Sequence, residues 1–392
     1  MAVDARVSEY LLELLRCGVN DTVPSEKPEG VSWEAVYALA RHHNVSALAF
    51  YALRERLNEL PAALAEAWGE YNAKLLAKCV NQEHELAHLC EIFEREQIPY
   101  MPLKGSCIRH LYPETYLREM SDLDILVPLE KMGNACELAH SLGYSIESEN
   151  THHIELQKKP YVFLELHMNL ISTGSPYFQY YKHPWSFARA SDSPYCHVMM
   201  NEDYYVYMLV HTAKHYYYWT GTGIRSVLDV YLFNRAYRAT LDLDYVAKQL
   251  KKLKLVDFAK QIETLSECWF SSEPHSTEAG CDITKMQYYI LSGTTYGSLM
   301  TYDQKVVRSY IDKGKSLRGA KLAMYMHMAF LPLCEMKGMY PILKKVPVLL
   351  PFCWVARWFR ILLRKPDSIA AQYRRVVAID LYDKKAEQKD AR

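Results

Sequence analysis

The chain has 392 residues, half of them apolar, and its 46 basic and 46 acidic residues give a formal net charge of zero. Such a length exceeds one ordinary domain, so we expect two or three folding units. The balanced charge argues against a general attraction to nucleic acid, and the composition is typical of a soluble globular protein.

Cysteine spacing and hydropathy indicate a cytoplasmic protein. The ten cysteines include no C-x-x-C pair, so their spacing supports neither a zinc site nor a redox pair, and we expect reduced thiols. The N-terminal residues form an acidic amphipathic pattern rather than a signal peptide. No apolar run approaches the roughly 18 residues that a membrane span requires.

Residues 1–97 are predicted to form an N-terminal helical region. Val7 and Leu11 belong to an apolar pattern with helical spacing, and Ser32 is placed to cap a second helix. A further long helix is predicted from about Pro61 to Gln97, so this region would lie before the catalytic unit as a helical domain or cap.

The next region, residues 98–200, has the pattern of a small α/β unit. A short apolar strand, Ile98–Leu103, is followed by Lys104, Gly105 and Ser106 at the start of a helical stretch. Backbone N–H groups at such a turn are unpaired and suit a phosphate, to which a lysine adds a compact positive charge. We therefore expect these three residues to bind the phosphates of a nucleotide.

Two carboxylates lie in the following strand. Asp122 and Asp124 stand one residue apart in an apolar run that ends at Val127, so both side chains would project from one face. Carboxylate oxygens are the ligands that Mg²⁺ prefers. An Asp-x-Asp pair is also common in turns and N-caps, so the pair alone leaves both interpretations open.

A third carboxylate is expected from a neighbouring strand. Glu165 and His167 share one face of the last strand of this region. Because two cations about 3.5–4 Å apart need more than two bridging carboxylates, Glu165 is the candidate third ligand. The further elements predicted for the region are a helix from Pro128 to Gly143 and strands over Tyr144–Glu147, His153–Gln157 and Tyr161–His167.

The order strand, Gly-Ser turn, short helix and Asp-x-Asp strand resembles the polymerase-β-type nucleotidyltransferase superfamily. The fuller pattern is similar to one branch, a bacterial nucleotidyltransferase family of unknown substrate, over roughly residues 30–300 and most densely over 100–170. The matching residues are LKG at 103–105, LYP at 111–113, Arg118, SDLDILV at 121–127, Gly143-Tyr144, ELH at 165–167, and a later GxGxR…D element formed by Gly221, Gly223, Arg225 and Asp229.

The resemblance implies a mixed α+β fold, in which a small polymerase-β-like sheet is flanked by N-terminal and C-terminal helical regions. It implies that Asp122, Asp124 and Glu165 are catalytic residues that bind two Mg²⁺ ions, and that a nucleoside triphosphate such as ATP is a substrate. Arg118 is a further candidate for binding the nucleotide.

Helices are predicted again over residues 201–338, a C-terminal helical domain. His211 and His215 lie on one helical stripe, and the H-x-x-x-H spacing can bind zinc. The aromatic and apolar neighbours favour packing of these histidines instead. Lys214 and His215 would then lie near a nucleotide. Arg225 and Asp229 are spaced as an i,i+4 pair, either a surface ion pair or one that closes the active-site cleft. The 31 tyrosines either stack on a base or a sugar or, as we favour, fill interfaces between helices and sheet.

The tail, residues 339–392, differs in charge from the rest of the chain. From residue 340 onward it has 12 basic against 5 acidic residues, a net charge of +7. Arg357, Arg360 and Arg364 are predicted on one side of a helix, with Trp358 among the apolar residues of another. Such a helix suits either contact with a membrane through residues 340–365 or packing on the protein itself. The last ten residues are predicted to be disordered.

Three functions remain open from the sequence. The first is Mg²⁺-dependent transfer of a nucleoside monophosphate from a triphosphate to an acceptor hydroxyl on a small molecule, sugar or protein, with release of pyrophosphate. The second is a non-catalytic binding or scaffold protein that keeps the fold and joins a membrane-linked assembly at the inner membrane face. The third, nucleic-acid polymerisation, is disfavoured by the zero net charge.

Overall fold

The chain forms two compact units in the computed structural model: residues 1–216 with 222–296, and residues 217–221 with 297–392. The boundaries predicted from sequence at residues 97, 200 and 338 stay predictions. The structure describes residues 4–150, 152–160, 162–218, 221–272, 283–292, 316–331 and 339–364, together with Val307, Tyr310, Leu333 and Met336.

Four helices open the first unit, as the apolar spacing predicts. Ser32 caps the second of them by accepting a hydrogen bond of 3.0 Å from the backbone N–H of Ala35. The fourth helix matches the long segment predicted from Pro61 to Gln97. The helices are α1 (Ala5–Asn20), α2 (Trp33–His42), α3 (Ser46–Ala52) and α4 (Ala62–Arg95).

A mixed five-stranded sheet follows, and it confirms the predicted α+β class. The strand order is β1-β2-β5-β4-β3, in which β2 and β5 are parallel neighbours and the other pairs are antiparallel. The elements are β1 (Met101–Pro102), α5 (Gly105–Ile108), β2 (Leu123–Leu126), α6 (Met132–Ser141), β3 (Ser145–Glu149), β4 (His153–Lys158) and β5 (Val162–His167).

The two faces of the sheet have different environments. Leu123, Ile125 and Leu164 are fully buried in a core that includes Phe93 of α4 and Ala135 of α6. Because side chains alternate along a strand, the residues between them point to the opposite face. Asp124 and Glu165 are therefore carried on the face away from α4 and α6.

Helices return after a short hairpin, β6 (Ala188–Ala190) with β7 (His197–Met199). Tyr204 and Tyr205 stack on Phe233, with ring centroids 5.7 and 5.3 Å apart, so tyrosines join two of these helices as the packing interpretation predicts. The helices are α7 (Asn201–Tyr218), α8 (Ile224–Tyr237), α9 (Leu243–Leu253), α10 (Val256–Phe270) and α11 (Thr284–Ser292).

The second unit contains α12 (Leu317–Ala329) and α13 (Leu350–Arg364). The indole N–H of Trp358 donates to the carbonyl of Ala329 at 2.8 Å, and Arg357 donates to that of Met328 at 2.9 Å. Both side chains therefore bind the end of α12, and the separation of a basic side from an apolar side of α13 stays a prediction.

Other apolar side chains of α13, such as Phe352 and Phe359, are exposed. Contact of this tail with a membrane stays a prediction. The predicted disorder of the last ten residues concerns residues outside the described part of the chain. Among the helices that the structure describes, none has the length and hydropathy needed to cross a membrane.

Candidate active site

Two of the predicted carboxylates meet on the central pair of strands. The parallel register of β2 and β5 sets Asp124 opposite Glu165. The side chain of Asp124 is 3% exposed and that of Glu165 is 18% exposed. One oxygen of each lies within 4.8 Å of the other and of a ring nitrogen of His167. The structure thus brings Asp124 and Glu165 together in a partly open site.

The ammonium of Lys104 lies at the same carboxylates. Its Nζ is 2.5 Å from Asp124 Oδ1 and 3.7 Å from Glu165 Oε2. The backbone of Lys104 has a φ of 48°, a region that L residues rarely adopt, and its carbonyl accepts a hydrogen bond of 2.7 Å from the hydroxyl of Tyr204. Tertiary contacts therefore hold a strained backbone at this residue, which is common at functional sites.

His167 contacts both carboxylates from the interior. Its Nε2 is 2.7 Å from Asp124 Oδ1 and 3.0 Å from Glu165 Oε2, and its side chain is fully buried. Because the ring is packed on all sides, its contacts fix the positions of the two carboxylates. The ELH pattern in the sequence marked this residue, but no role was predicted for it.

Burial and neighbouring charges set the protonation of the cluster. Burial acts to raise the pKa of Asp124, but the Lys104 ammonium and the hydrogen bond with His167 outweigh it and hold that pKa well below its ordinary value. Burial acts to lower the pKa of Lys104, but Asp124 outweighs it and the pKa is raised. At neutral pH the aspartate is therefore anionic and the lysine is cationic.

Asp122 lies next to this cluster without completing it. It is half-buried and precedes β2, which begins at Leu123. Burial and the negative charge of Asp124 raise the pKa of Asp122 to about 6. Among the described residues, the groups of three close ligand atoms do not include Asp122. Its role as a metal ligand stays a prediction.

The predicted phosphate turn lies beside Lys104 and leads into α5. A Cβ atom added at Gly105 would lie 2.5 Å from Nη1 of Arg118 and 2.9 Å from Sδ of Met120, so the close approach requires glycine. The hydroxyl of Ser106 is buried, and it has no hydrogen-bond partner in the part of the chain that the structure describes. Binding of phosphate by these residues stays a prediction.

A buried ion pair between Arg118 and Asp229 supports the turn at Gly105. Arg118 donates to both oxygens of Asp229, at 3.0 and 2.7 Å, and the hydroxyl of Tyr112 donates to the same carboxylate at 2.8 Å. Of the two alternatives for Arg225 and Asp229, a surface ion pair is wrong, because Asp229 is buried against Arg118, and closure of the active-site cleft by these residues stays a prediction. Arg225 instead donates to the backbone carbonyl of Glu119.

This ion pair also bears on the prediction that Arg118 contacts the nucleotide. The Nε and Nη2 donors of Arg118 are engaged by Asp229, while its Nη1 faces Gly105. Direct contact with a nucleotide stays a prediction, and the observed contacts make Arg118 a support of the turn.

Lys214 of α7 brings a further positive charge near the carboxylates. Its side chain is buried, and burial together with the ammonium of Lys104 lowers its pKa to about 8, against the opposing effects of Asp124 and Glu165. Lys214 is therefore electrostatically coupled to these three groups, and its position near a nucleotide stays a prediction.

The helical stripe that contains His211 and His215 does not form a metal site of three ligands. Their rings lie 4.7 Å apart, but the groups of three close ligand atoms among the described residues include neither. Burial, with the nearby Lys214 charge, lowers the pKa of His211 well below its ordinary value. The observed contacts favour packing of these rings over zinc binding.

Two histidines with no predicted role lie beside His167. Ring centroids of His152 and His153 are 4.9 and 5.1 Å from that of His167, and 5.1 Å from each other. Burial and the nearby His167 lower the pKa of His152 to about 2, so its ring is neutral at pH 7. The sequence contained a signal for this cluster: adjacent histidines at the start of a strand whose partner strand ends in histidine.

A second histidine pattern in the sequence does not form a site. His84, Glu85 and His88 have the H-E-x-x-H spacing typical of zinc peptidases. Glu85 is buried and binds Lys158 Nζ at 2.6 Å and the Tyr144 hydroxyl at 3.0 Å. The histidine rings lie 6.3 Å apart, and no third ligand joins them among the residues that the structure describes.

A family model described as uncharacterised nucleotidyltransferase matches residues 29–271, well over half of the chain. No curated protein matches the sequence. The solution structure of the antibiotic-resistance factor ANT(2'')-Ia is similar over 45% of this chain and 94% of its own, with 11% identity and a TM-score of 0.35.

Proposed function

Since this chain belongs to the family of uncharacterised nucleotidyltransferases, we propose that it transfers a nucleoside monophosphate from a nucleoside triphosphate to an acceptor hydroxyl. The observation that carries the proposal is the convergence of Asp124 and Glu165 on adjacent strands, with the Lys104 ammonium between Asp124 and the open side chain of Glu165. A buried anionic pair with an adjacent lysine suits the binding of a cation and a polyphosphate.

The donor set fits a divalent cation. The ammonium of Lys104 already stands as a cation at the oxygens of Asp124 and Glu165. Asp122 adds a third carboxylate, whose pKa is raised by burial and by the negative charge of Asp124. In the proposal these three carboxylates hold Mg²⁺, with room in the ligand set for two ions. When bound, Mg²⁺ supplies positive charge to the triphosphate oxygens and polarises the α-phosphorus.

The phosphates are bound, in this proposal, by the turn and the lysines around it. Lys104 and Lys214 offer positive charge near the carboxylates, because both lysines are electrostatically coupled to them. The backbone N–H groups of Gly105 and Ser106, with the buried Ser106 hydroxyl, offer donors to the β- and γ-phosphates. Arg118 contributes by fixing the turn through its ion pair with Asp229 rather than by the reaction itself.

The acceptor hydroxyl attacks the α-phosphorus from the side of Glu165, the more exposed of the two paired carboxylates. A bond forms between the acceptor oxygen and the α-phosphorus, while the bond from that phosphorus to the β-phosphate bridging oxygen breaks. Glu165 takes the proton of the acceptor, and pyrophosphate leaves. The acceptor is a small molecule, a sugar or a protein.

Transfer of label from nucleoside triphosphates tests the proposal. Each of the four ribonucleotides labelled at the α-phosphorus is incubated with Mg²⁺, the protein and a cell extract, and labelled products are separated. The wild type is expected to label an acceptor, and Asp124→Asn is expected to lose at least about 100-fold of that rate because a ligand charge is removed.

Glu147→Gln is the matched control for that experiment, since Glu147 is an exposed carboxylate on β3 of the same sheet. Its activity should equal that of the wild type. Calorimetry with Mg²⁺ and ATP tests the remaining possibility, that the protein is not an enzyme. If no extract or nucleotide yields a product and ATP does not bind, the non-catalytic binding or scaffold function replaces the proposed transfer.

A further inference from the structure

We propose that His152, His153 and His167 bind a transition-metal ion of the zinc class, at a site behind the carboxylate cluster and distinct from its Mg²⁺ ligands. One ring nitrogen of each residue lies within 4.8 Å of the other two. Tetrahedral zinc with bonds of about 2.0–2.1 Å needs its nitrogen ligands roughly 3.3 Å apart, so small side-chain movements complete the site.

The orientation of His167 is the first argument for a metal. Its Nε2 is 2.7 Å from Asp124 Oδ1, while its Nδ1, on the other side of a fully buried ring, has no hydrogen-bond partner in the described part of the chain. Metal-binding histidines commonly use one ring nitrogen for the metal and the other for a carboxylate. His167 has this arrangement, with Nδ1 left for the ion.

His153 repeats the same arrangement on the neighbouring strand. Its Nε2 is 3.0 Å from Glu155 Oε1, and its Nδ1 is buried without a hydrogen bond among the residues described. The register of β4 and β5 sets His153 directly opposite His167. Two histidines on paired strands therefore each combine a carboxylate at one nitrogen with an open second nitrogen.

His152 supplies a third buried nitrogen, since its Nδ1 also lacks a hydrogen-bond partner within the described residues. Buried polar atoms are nearly always hydrogen-bonded, so three such nitrogens in one cluster of adjacent rings indicate a missing ligand. A bound ion would satisfy all three at once. Packing of neutral rings against one another would leave them unsatisfied.

The ligand type selects the metal. Imidazole nitrogens suit zinc, copper, nickel and iron, whereas Mg²⁺ prefers oxygen ligands. Glu165 Oε2 lies 3.4 Å from His153 Nδ1 but 3.0 Å from Nε2 of His167, the nitrogen that faces Asp124, so Glu165 belongs to the carboxylate cluster and not to the histidine site.

Metal titration of the full-length protein, prepared without a histidine tag and stripped by a chelator, tests this proposal. Zn²⁺ is titrated by calorimetry in excess Mg²⁺, and Co²⁺ is followed by its visible absorption. We expect one tight equivalent of Zn²⁺ that Mg²⁺ does not displace. Glu155→Gln removes a carboxylate that binds a ligand histidine and should weaken Zn²⁺ binding by about 10–100-fold. His152→Asn removes a ligand itself and should weaken Zn²⁺ binding by more than this.

His88→Ala is the control, since it breaks a histidine pair outside the proposed site, His84 and His88 of α4. The tight equivalent should survive this substitution. Glu155 has a half-exposed side chain, so Glu155→Gln tests the site even if His152→Asn unfolds. Zn²⁺ binding that is absent from the wild type, unchanged in both site variants, or lost in His88→Ala overturns the proposal.

Discussion

Lys104 and the buried Asp124 form an ion pair in which Nζ lies 2.5 Å from Oδ1. The pair joins two parts of the sheet, because Lys104 follows β1 and the backbone N–H of Leu103 donates to the Asp124 carbonyl at 2.9 Å. A buried carboxylate without a counter-charge strongly destabilises a fold. Before a cation binds, the lysine therefore supplies the charge that the site requires.

Replacing this lysine gives the first prediction. Lys104→Met should lower the free energy of unfolding by about 3–5 kcal/mol without divalent ions, since it leaves Asp124 charged and buried. Because Mg²⁺ can replace the missing charge, millimolar Mg²⁺ should recover much of the loss. Urea unfolding with and without Mg²⁺ measures both effects.

Lys158→Met is the matched control for that prediction. Lys158 forms an ion pair with Glu85 at 2.6 Å. The side chains of Lys158 and Glu85 are 25% and 7% exposed, which resembles the exposures of Lys104 and Asp124. It should lose a similar stability and recover none of it with Mg²⁺. Equal recovery in the two variants would show that the carboxylates at Lys104 are not a cation site.

The turn at Gly105 gives the second prediction. Gly105→Ala should lower the free energy of unfolding by about 1–3 kcal/mol, because the new methyl group would lie 2.5 Å from Nη1 of Arg118 and displace the supporting side chain. ATP affinity, measured by calorimetry, should fall as well. Gly133→Ala is the control in α6, where no atom lies within 4 Å of the added Cβ.

That control should gain about 0.5–1 kcal/mol from helix propensity and keep its ATP affinity. If Gly105→Ala binds ATP as tightly as Gly133→Ala does, the turn does not hold the phosphates.

The local pattern of the sequence predicted most of the sheet and the helix after Pro128. Apolar alternation over His153–Gln157 and Tyr161–His167 matches β4 and β5 closely, because each strand has one buried face that fixes its side-chain pattern. The strand predicted over Ile98–Leu103 is shorter in the structure, at Met101–Pro102, since its pairing with β2 involves two residues.

Pairing over long sequence separations could not be predicted in the same way. The partner of Asp229 is Arg118, 111 residues earlier, whereas the i,i+4 rule pointed to Arg225. Similarly, His152 and His153 join His167 through the register of two strands. A periodic pattern identifies the face on which a residue lies, but contacts between elements depend on packing that spacing alone does not encode.

The Arg118 ion pair gives the third prediction. Asp229→Asn should lower the free energy of unfolding by about 3–5 kcal/mol, because Arg118 stays buried with its charge uncompensated. The double variant Arg118→Met/Asp229→Asn should be more stable than the sum of the two single changes predicts. Urea unfolding of the four proteins gives the coupling between the residues.

Arg238 and Glu263 provide the comparison for that cycle. They form an ion pair of 3.2 Å, but Arg238 is 49% exposed, so its coupling should be about 0–1 kcal/mol. A coupling of the Arg118 pair no larger than this would mean that the ion pair does not hold the turn.

The lowered pKa of Lys214 gives the fourth prediction. Its pKa is about 8 in the folded protein against 10.5 ordinarily, because burial and Lys104 disfavour its charge more than Asp124 and Glu165 favour it. Between these two values the unfolded chain binds more protons than the folded protein, so the contribution of Lys214 to stability rises with pH. Below pH 8 the buried charge destabilises the fold.

Lys214→Met should therefore be more stable than the wild type at pH 7, by roughly 3 kcal/mol because the pKa of Lys214 falls from 10.5 to about 8 on folding, and the advantage should shrink as pH rises from 8 to 10.5. Urea unfolding of both proteins across this range measures the change, with Lys248→Met, at an exposed position on α9, as the flat control. Lys214→Met should also weaken binding of pyrophosphate at pH 7. The positive charge of Lys214 destabilises the empty site but attracts an anion. A variant that is less stable at pH 7 but binds pyrophosphate normally would assign Lys214 to packing and remove it from the phosphate site.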